Sequence, residues 1–439
     1  MLSLLLIWLI LLVALLGFCF QDWRRGGALV LAYFLSVSLI HVPGVLPYLA
    51  QDWLPGAAAT ELGFIATLIG LGAFVVGAAA SRFTSRKITP VPEPPPELIE
   101  KFGTRALVMG VISYFVLIPV AAGAPSLTSL VSPFGTLLVI GLWMRLYGAA
   151  QRCGLERTAR TLLLLPLLPL ATLGTAGFIG YGVNWVIAVL AFFYIISRHR
   201  ALFYVAAPLV VFFGLSFFVA YMGERTGIRD LVWNENAGVA ERLDRISQIF
   251  TRFQPLDVTN TEHVKALVER LDQNMLVGQG IDRHDSGESP FLYGNSVPWW
   301  TLVPRALWPD KPDVGGGGEI VANFTGRHFA EGTSVGAGQV LEFYMNFGYP
   351  GIVIGFAALG FALMRLDRGI MDGLRRGDLK LVIRCAMPGL GMLQPSGNLM
   401  EIMVVTAASV ITAYAITRLK FFGVPDLVSR RPTRRPAPA

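Results

Sequence analysis

Apolar residues along this chain come in long blocks. Stretches with hardly a charge recur near Leu2 to Phe20, Ala28 to Leu46, Leu62 to Ala80, Arg105 to Ala122, Thr128 to Tyr147, Thr161 to Phe178, Val183 to Ser197 and Ala201 to Met222. They return near Val340 to Leu363, Leu381 to Leu399 and Ile402 to Thr417. About 20 helical residues cross a hydrocarbon core of about 30 Å, and a backbone in lipid has to satisfy its own hydrogen bonds, which a helix does. The pattern predicts an all-α, polytopic integral membrane protein with about eleven transmembrane helices. The segment Thr161 to Phe178 contains Pro166 and Pro169 and is expected to kink.

One long segment breaks the pattern. Gly223 to Val340 is polar and rich in Arg, His, Trp, Tyr and Gly. The chain therefore divides into a membrane domain at 1–222 with eight spans, a large loop at 223–340, a second membrane domain at 341–420 with three spans, and a tail at 421–439 too polar and Pro-rich to pack. Within the loop, Val239 to Phe253 puts Leu243, Ile246, Ile249, Phe250 and Phe253 on one helical face. A second helix is expected from Thr261 or Glu262 to Leu276, capped by Thr259, Asn260 or Thr261. Such helices either lie on the membrane surface or pack over the bundle. The segment Thr89 to Glu97, TPVPEPPPE, reads as a stiff linker.

Composition agrees: apolar residues make up 54% of the chain and charged residues 15%. Charge placement adds orientation, because short cytoplasmic loops are enriched in Lys and Arg. With the amino terminus outside, the inner segments hold Arg24 and Arg25, then Arg82, Arg86, Lys87, Lys101 and Arg105, then Arg145, Arg152, Arg157 and Arg160, then Arg198 and Arg200, and later Arg365, Arg368, Arg375, Arg376 and Lys380. The short outer loops hold none. The loop at 223–340 is therefore expected on the extracytoplasmic side, with the amino terminus periplasmic and the carboxyl terminus cytoplasmic in a bacterial inner membrane. Arg24 and Arg25 follow the first apolar run, so that run reads as a retained span and not as a signal peptide. The net charge of +7 reports topology and contact with the lipid bilayer, not nucleic acid. Cys19, Cys153 and Cys385 fall on the cytoplasmic side, leaving no thiol for the outer loop.

The chain has no Walker loop, H-E-x-x-H, C-x-x-C or G-x-S-x-G, which argues against nucleotide-dependent and common hydrolytic chemistry. The run Gly315 to Gly318 reads as a hinge. The loop does concentrate groups suited to phosphate: Arg283, Arg305, Lys311 and Arg327, with His284 and His328 beside two of them. Arginine grips phosphate oxygens bidentately, although each of these also fits an ordinary ion pair. Trp299, Trp300, Trp308 and Tyr293 suit interface anchoring or the faces of sugars. Glu342 and Tyr344 stand where the loop re-enters the membrane. A carboxylate there is costly unless paired or functional, so Glu342 is a candidate buried partner of an arginine, or a base. His41 reads as a packed histidine.

The strings PRALWPDKP and GTSVGAGQVLEFYMNFGYPG resemble the Wzy-type polymerases of bacterial oligosaccharide repeat units, which act on O-antigen and exopolysaccharide. The likeness covers about Arg242 to Gly360. It implies a metal-independent membrane glycosyltransferase that uses no cofactor. Such an enzyme moves a growing glycan from undecaprenyl diphosphate onto the sugar hydroxyl of the next lipid-linked repeat, in company with a chain-length regulator protein. Family members feature an Arg followed eleven positions later by Gly, a spacing met by Arg283 with Gly294, Arg305 with Gly316 and Arg327 with Gly338. Members with that pattern also carry an arginine in an earlier outer loop, and this chain has none there. On this reading Arg305, Arg327, Lys311 and Arg283 hold the diphosphate and glycan with Trp308 and Tyr344, while Glu342 or His328 orients or deprotonates the acceptor. The alternatives are an O-antigen ligase transferring glycan to lipid A core, or a transporter or flippase of lipid-linked glycans.

Overall fold

The computed structural model describes residues 1–21, 26–50, 55–84, 94–121, 125–152, 155–176, 179–197, 201–233, 247–249, 251, 253–303, 307–308, 310–311, 317–329 and 335–418. Among these residues the chain is all-helical, with no strand. The principal helices are α1 (Leu2–Gln21), α2 (Ala28–His41), α3 (Ala57–Ala80), α4 (Pro96–Ile112), α5 (Leu137–Gln151), α6 (Leu167–Ala176), α7 (Gly180–Ile196), α8 (Ala201–Trp233), α9 (Thr261–Leu271), α10 (Gln273–Asp285), α11 (Gly317–Thr325), α12 (Gly338–Arg376), α13 (Leu379–Gly391) and α14 (Leu399–Arg418).

Seven described helices are long and apolar enough to cross a membrane, while α2 and α7 are apolar but shorter. The predicted span Thr161 to Phe178 is interrupted by turns at 163–166, just ahead of α6, because Pro166 has no N–H to carry the ladder. The predicted span Leu381 to Leu399 ends as helix at Gly391, and 392–398 is non-helical. Large apolar side chains on the outer faces of α1, α3, α8, α12 and α14 are exposed, among them Leu6, Ile10, Val76, Phe213, Ile354 and Ile411. Apolar exposure on that scale suits a lipid surround.

Helix α3 is central. Gly63, Gly70 and Gly77 recur every seventh residue and so line one stripe, which meets two partners end to end. A Cβ on Gly63 would lie 1.9 Å from the carbonyl oxygen of Asn274, and one on Gly278 would lie 1.8 Å from that of Ala59, so α10 rests backbone to backbone on α3. Further along, Gly77 meets the Ala357 carbonyl and Gly360 the Phe74 carbonyl, each with room for no Cβ. Small residues permit this approach, and dispersion then holds helices that gain little from hydrophobic exclusion in lipid.

The loop helices thus belong to the bundle. α9 starts where expected, with the Asn260 side chain accepting from the Glu262 amide at 2.9 Å, but it ends at Leu271 and not at Leu276. Asp272 breaks the helix and caps α10, accepting from the Met275 amide at 3.3 Å and from Thr60 Oγ1 at 2.7 Å. Asn274 then bonds the His41 ring at 2.6 Å, donates to the His41 carbonyl at 2.7 Å and accepts from Thr67 at 3.1 Å. Of the expected helix Val239 to Phe253, residues 239–246, 250 and 252 lie outside the described residues, as do Arg24, Arg25, Cys153, most of the linker at 89–97 and the tail after Arg418.

At the other end of the molecule the carboxylate of Asp367 accepts from the Leu29 and Val30 amides at 2.9 and 3.1 Å, capping α2 from a distant helix. α12 is kinked at Phe347 and Gly348, the glycine at φ 63°. The carbonyls freed there are taken by a returning segment: the Leu292 amide donates to Met345 at 2.8 Å and the Tyr293 amide to Asn346 at 3.2 Å.

Two outcomes test this packing. Gly63→Ala or Gly278→Ala should lower the thermal midpoint of purified protein in detergent by the equivalent of about 1 to 3 kcal/mol, the usual cost of overpacking. Gly72→Ala, with nothing within 4 Å of its Cβ position, should be neutral or slightly stabilising; equal effects at all three would refute the stripe. The second outcome concerns Asp272, whose carboxyl burial pushes up from 3.8 to about 6. The unfolded chain loses this proton near 3.8 and the folded one near 6, so the stabilisation is complete below 3.8 and is lost as pH rises through 6. The midpoint of wild type relative to Asp272→Asn should therefore fall between pH 4 and 7, by at most about 3 kcal/mol. A constant difference would refute it.

Candidate functional site

A cavity of about 430 Å³, open to solvent, lies between the end of α10 and the exit of α11. Its position follows from how those two helices stop. α10 ends at Asp285 with Gly287 at φ 81°, and the turn closes through the Glu288 amide donating to the Arg283 carbonyl at 3.0 Å. The Ser289 hydroxyl donates to the Phe324 carbonyl at 2.9 Å, tying this turn to α11. Gly326, at φ 70°, ends α11 in a conformation that a side chain disfavours. Its bare face also makes room for Arg283, because a Cβ would lie 1.7 Å from Arg283 Nη1.

Two of the arginines singled out in the sequence therefore border one cavity. Arg283 and Arg327 both line the cavity, with Asp282, Glu288, Gln279 and Thr325 around them. Arg283 is partly exposed and stands 3.5 Å from Glu288. Arg327 is exposed and, among the described residues, forms no ion pair with a carboxylate; its Nη1 touches Met275 Sδ at 3.5 Å and its guanidinium lies 5.9 Å from the Phe329 ring. Cations presented this way match a polyanion such as a diphosphate.

Among the described residues, the other sequence candidates do not line this cavity. Arg305 lies outside the described residues. Lys311 directs its ammonium at backbone carbonyls, Val303 at 2.9 Å and Thr301 at 3.4 Å. Trp308 and His328 are exposed, the latter next to Arg327. Tyr344 is buried in an aromatic cluster, 5.9 Å from the Phe291 ring and 5.4 Å from that of Tyr349. His284 stacks on Phe291 at 3.8 Å and bonds the Ser289 carbonyl at 2.7 Å.

Glu342 is buried and, among the described residues, has no arginine as a bonding partner. One of its oxygens accepts from Ser296 at 3.1 Å and the other from the Leu399 amide at 2.5 Å, the first turn of α14. Asn346 completes the cluster, donating to Ser296 Oγ and to the Glu342 carbonyl, both at 2.7 Å. The adjacent cavity, about 10 Å³, has room for little more than a water. Glu342 therefore joins the loop to α14 across the break after α13, away from the arginine cavity.

Sequence reasoning missed Asp282, Gly326 and Ser296. Gly326 carried a signal, since a glycine just before a chosen arginine invites a question about space. Asp282 and Ser296 carried none above the background of a polar loop. No protein-family model matches this chain, and neither a curated protein nor a solved structure does.

Glu342 gives a direct test. Glu342→Ala should leave the Leu399 amide and Ser296 unsatisfied and cost about 1 to 3 kcal/mol in thermal unfolding. Glu342→Gln retains an acceptor and should keep most of the stability and the activity; a stable but inactive Glu342→Gln protein would instead make Glu342 part of the chemistry.

Proposed function

We propose that this chain is a membrane glycosyltransferase that polymerises undecaprenyl-diphosphate-linked oligosaccharide repeats on the periplasmic face of a bacterial inner membrane. The observation that carries the reading is the convergence of Arg283 and Arg327, distant in sequence, on one open cavity at the end of a loop helix packed into the bundle. A volume near 430 Å³ falls within the range of small-ligand sites. In this reading eleven spans set the loop outside, the bilayer delivers the lipid-linked substrate from the side, and a chain-length regulator acts beside the enzyme.

The chemistry asks little of the protein beyond charge and position. The acceptor sugar's hydroxyl oxygen bonds to the anomeric carbon of the donor, the bond from that carbon to the diphosphate breaks, and its electron pair leaves with the diphosphate. Arg283 and Arg327 neutralise the charge that develops, as preorganised cations do. Each charge-assisted hydrogen bond contributes about 1.5 to 3 kcal/mol.

Arg283→Lys and Arg327→Lys keep the charge and lose the planar fork, so each should cut glycan elongation in cells at least about tenfold at equal expression, from about 1.4 kcal/mol per factor of ten. Lys265→Gln, an exposed change on α9, should be mild. Gel electrophoresis of surface glycan with mass analysis of the lipid-linked pool reads the result. Loss of long chains with single repeats still made and flipped is expected. Long chains stranded on the lipid carrier would indicate a ligase, repeats trapped on the cytoplasmic leaflet a flippase, and equal behaviour of all three variants would remove the diphosphate grip.

A further inference from the structure

The charges lining the arginine cavity do not pair off evenly. Arg283 and Glu288 stand together at 3.5 Å. Arg327 has no carboxylate partner, and Asp282, exposed on the last turn of α10, has no ion pair or side-chain hydrogen bond among the described residues. One cavity thus presents a free cation and a free carboxylate. A carboxylate kept clear of the neighbouring arginines retains its lone pairs for a proton, whereas Glu288 is held by Arg283.

We propose that Asp282 is the group that takes the proton from the acceptor hydroxyl, a role that rests on the glycosyl-transfer reading above. The hydroxyl O–H bond breaks toward an Asp282 oxygen, and the electron pair of that bond forms the new bond to the anomeric carbon. The diphosphate departs with the electron pair of the old bond, against Arg327 and Arg283. Asp282, now a neutral carboxylic acid, returns its proton to the water that reaches the open cavity. The sequence candidates fit this role less well. Both Glu342 oxygens are occupied in a separate, nearly closed cavity, and His328 does not line the arginine cavity.

The titratable and charged groups around Asp282 are Arg283, His284, Asp285 and Glu288 on its own helix and the turn after it, Arg327 and His328 beyond α11, and Tyr344 on α12. None of these is changed in Asp282→Asn. The test uses the full-length protein reconstituted in lipid vesicles, with the lipid-linked oligosaccharide pool extracted from cells lacking this protein as substrate. Asp282→Asn should lower kcat by about 10² to 10⁴, the usual contribution of general-base catalysis. Its KM should stay within about twofold, its thermal midpoint should be unchanged, and the acid limb of kcat against pH should disappear. Asp282→Glu should recover part of the rate and retain an acid limb. Turnover of Asp282→Asn at the wild-type rate, or a slower rate with the wild-type acid limb intact, would overturn the role while leaving glycosyl transfer standing. Failure of the wild-type protein to lengthen chains from this pool would overturn the glycosyl-transfer reading and this role with it.

Discussion

The architecture depends on the contact of α10 with α3. Nothing in the loop's composition obliges it to stay near the membrane, since polar segments of this kind are well solvated. It is held because two glycines remove the side chains that would keep the backbones apart, and Gly63 and Gly278 each leave space that no Cβ could share. Polar groups brought into that dry contact need partners. Asn274 supplies them by bonding His41 and Thr67, and Asp272 does so with Thr60. With its first turn fixed in this way, α10 is a rigid arm, and Arg283 stands about 13 Å along it at 1.5 Å per residue. The position of the candidate site is therefore set by a helix contact far from the arginines themselves.

Four carboxylates differ in environment. Asp367, Glu342 and Asp272 are buried, and each accepts from backbone amides that a helix start leaves without partners. Buried amides have no water to turn to, so the carboxylates join elements distant in sequence: α12 to α2, α12 to α14, and the α9–α10 corner to α3. Their oxygens are committed. Asp282, on the wet side of the same helix that Asp272 begins, has no such duty. Burial thus separates Asp272, Asp367 and Glu342, which hold the fold, from Asp282, and the exposed Arg327 lies on the wet side too.

The break in α12 shows how irregular backbone is tolerated near the membrane. Phe347 and Gly348 leave helical geometry, and the carbonyls released find the Leu292 and Tyr293 amides within the protein instead of lipid. A similar arrangement covers the gap between α13 and α14, where the Gln339 amide bonds the Pro395 carbonyl and the Asn398 side chain accepts from the Ala337 amide. The segment at Leu292 and Tyr293 and the broken helix α12 stabilise one another.

The all-helical class and the apolar helices were legible in the sequence, because period and hydropathy are local properties that lipid makes decisive. So was the supply of loop arginines, and so was the start of α9, where the Asn260 cap carries a short-range signal. The end of α9 at Leu271 was not legible, because Asp272 stops the helix to meet Thr60, some 200 residues earlier. That Arg283 and Arg327, out of the four cations the sequence had grouped, border one cavity while Lys311 turns to backbone carbonyls also awaited the fold. So did the placing of Glu342 as a cap for α14. Each of these depends on which backbones approach closely enough to exclude a side chain. That is a property of two segments together, and it is carried by glycines whose partners no local pattern identifies.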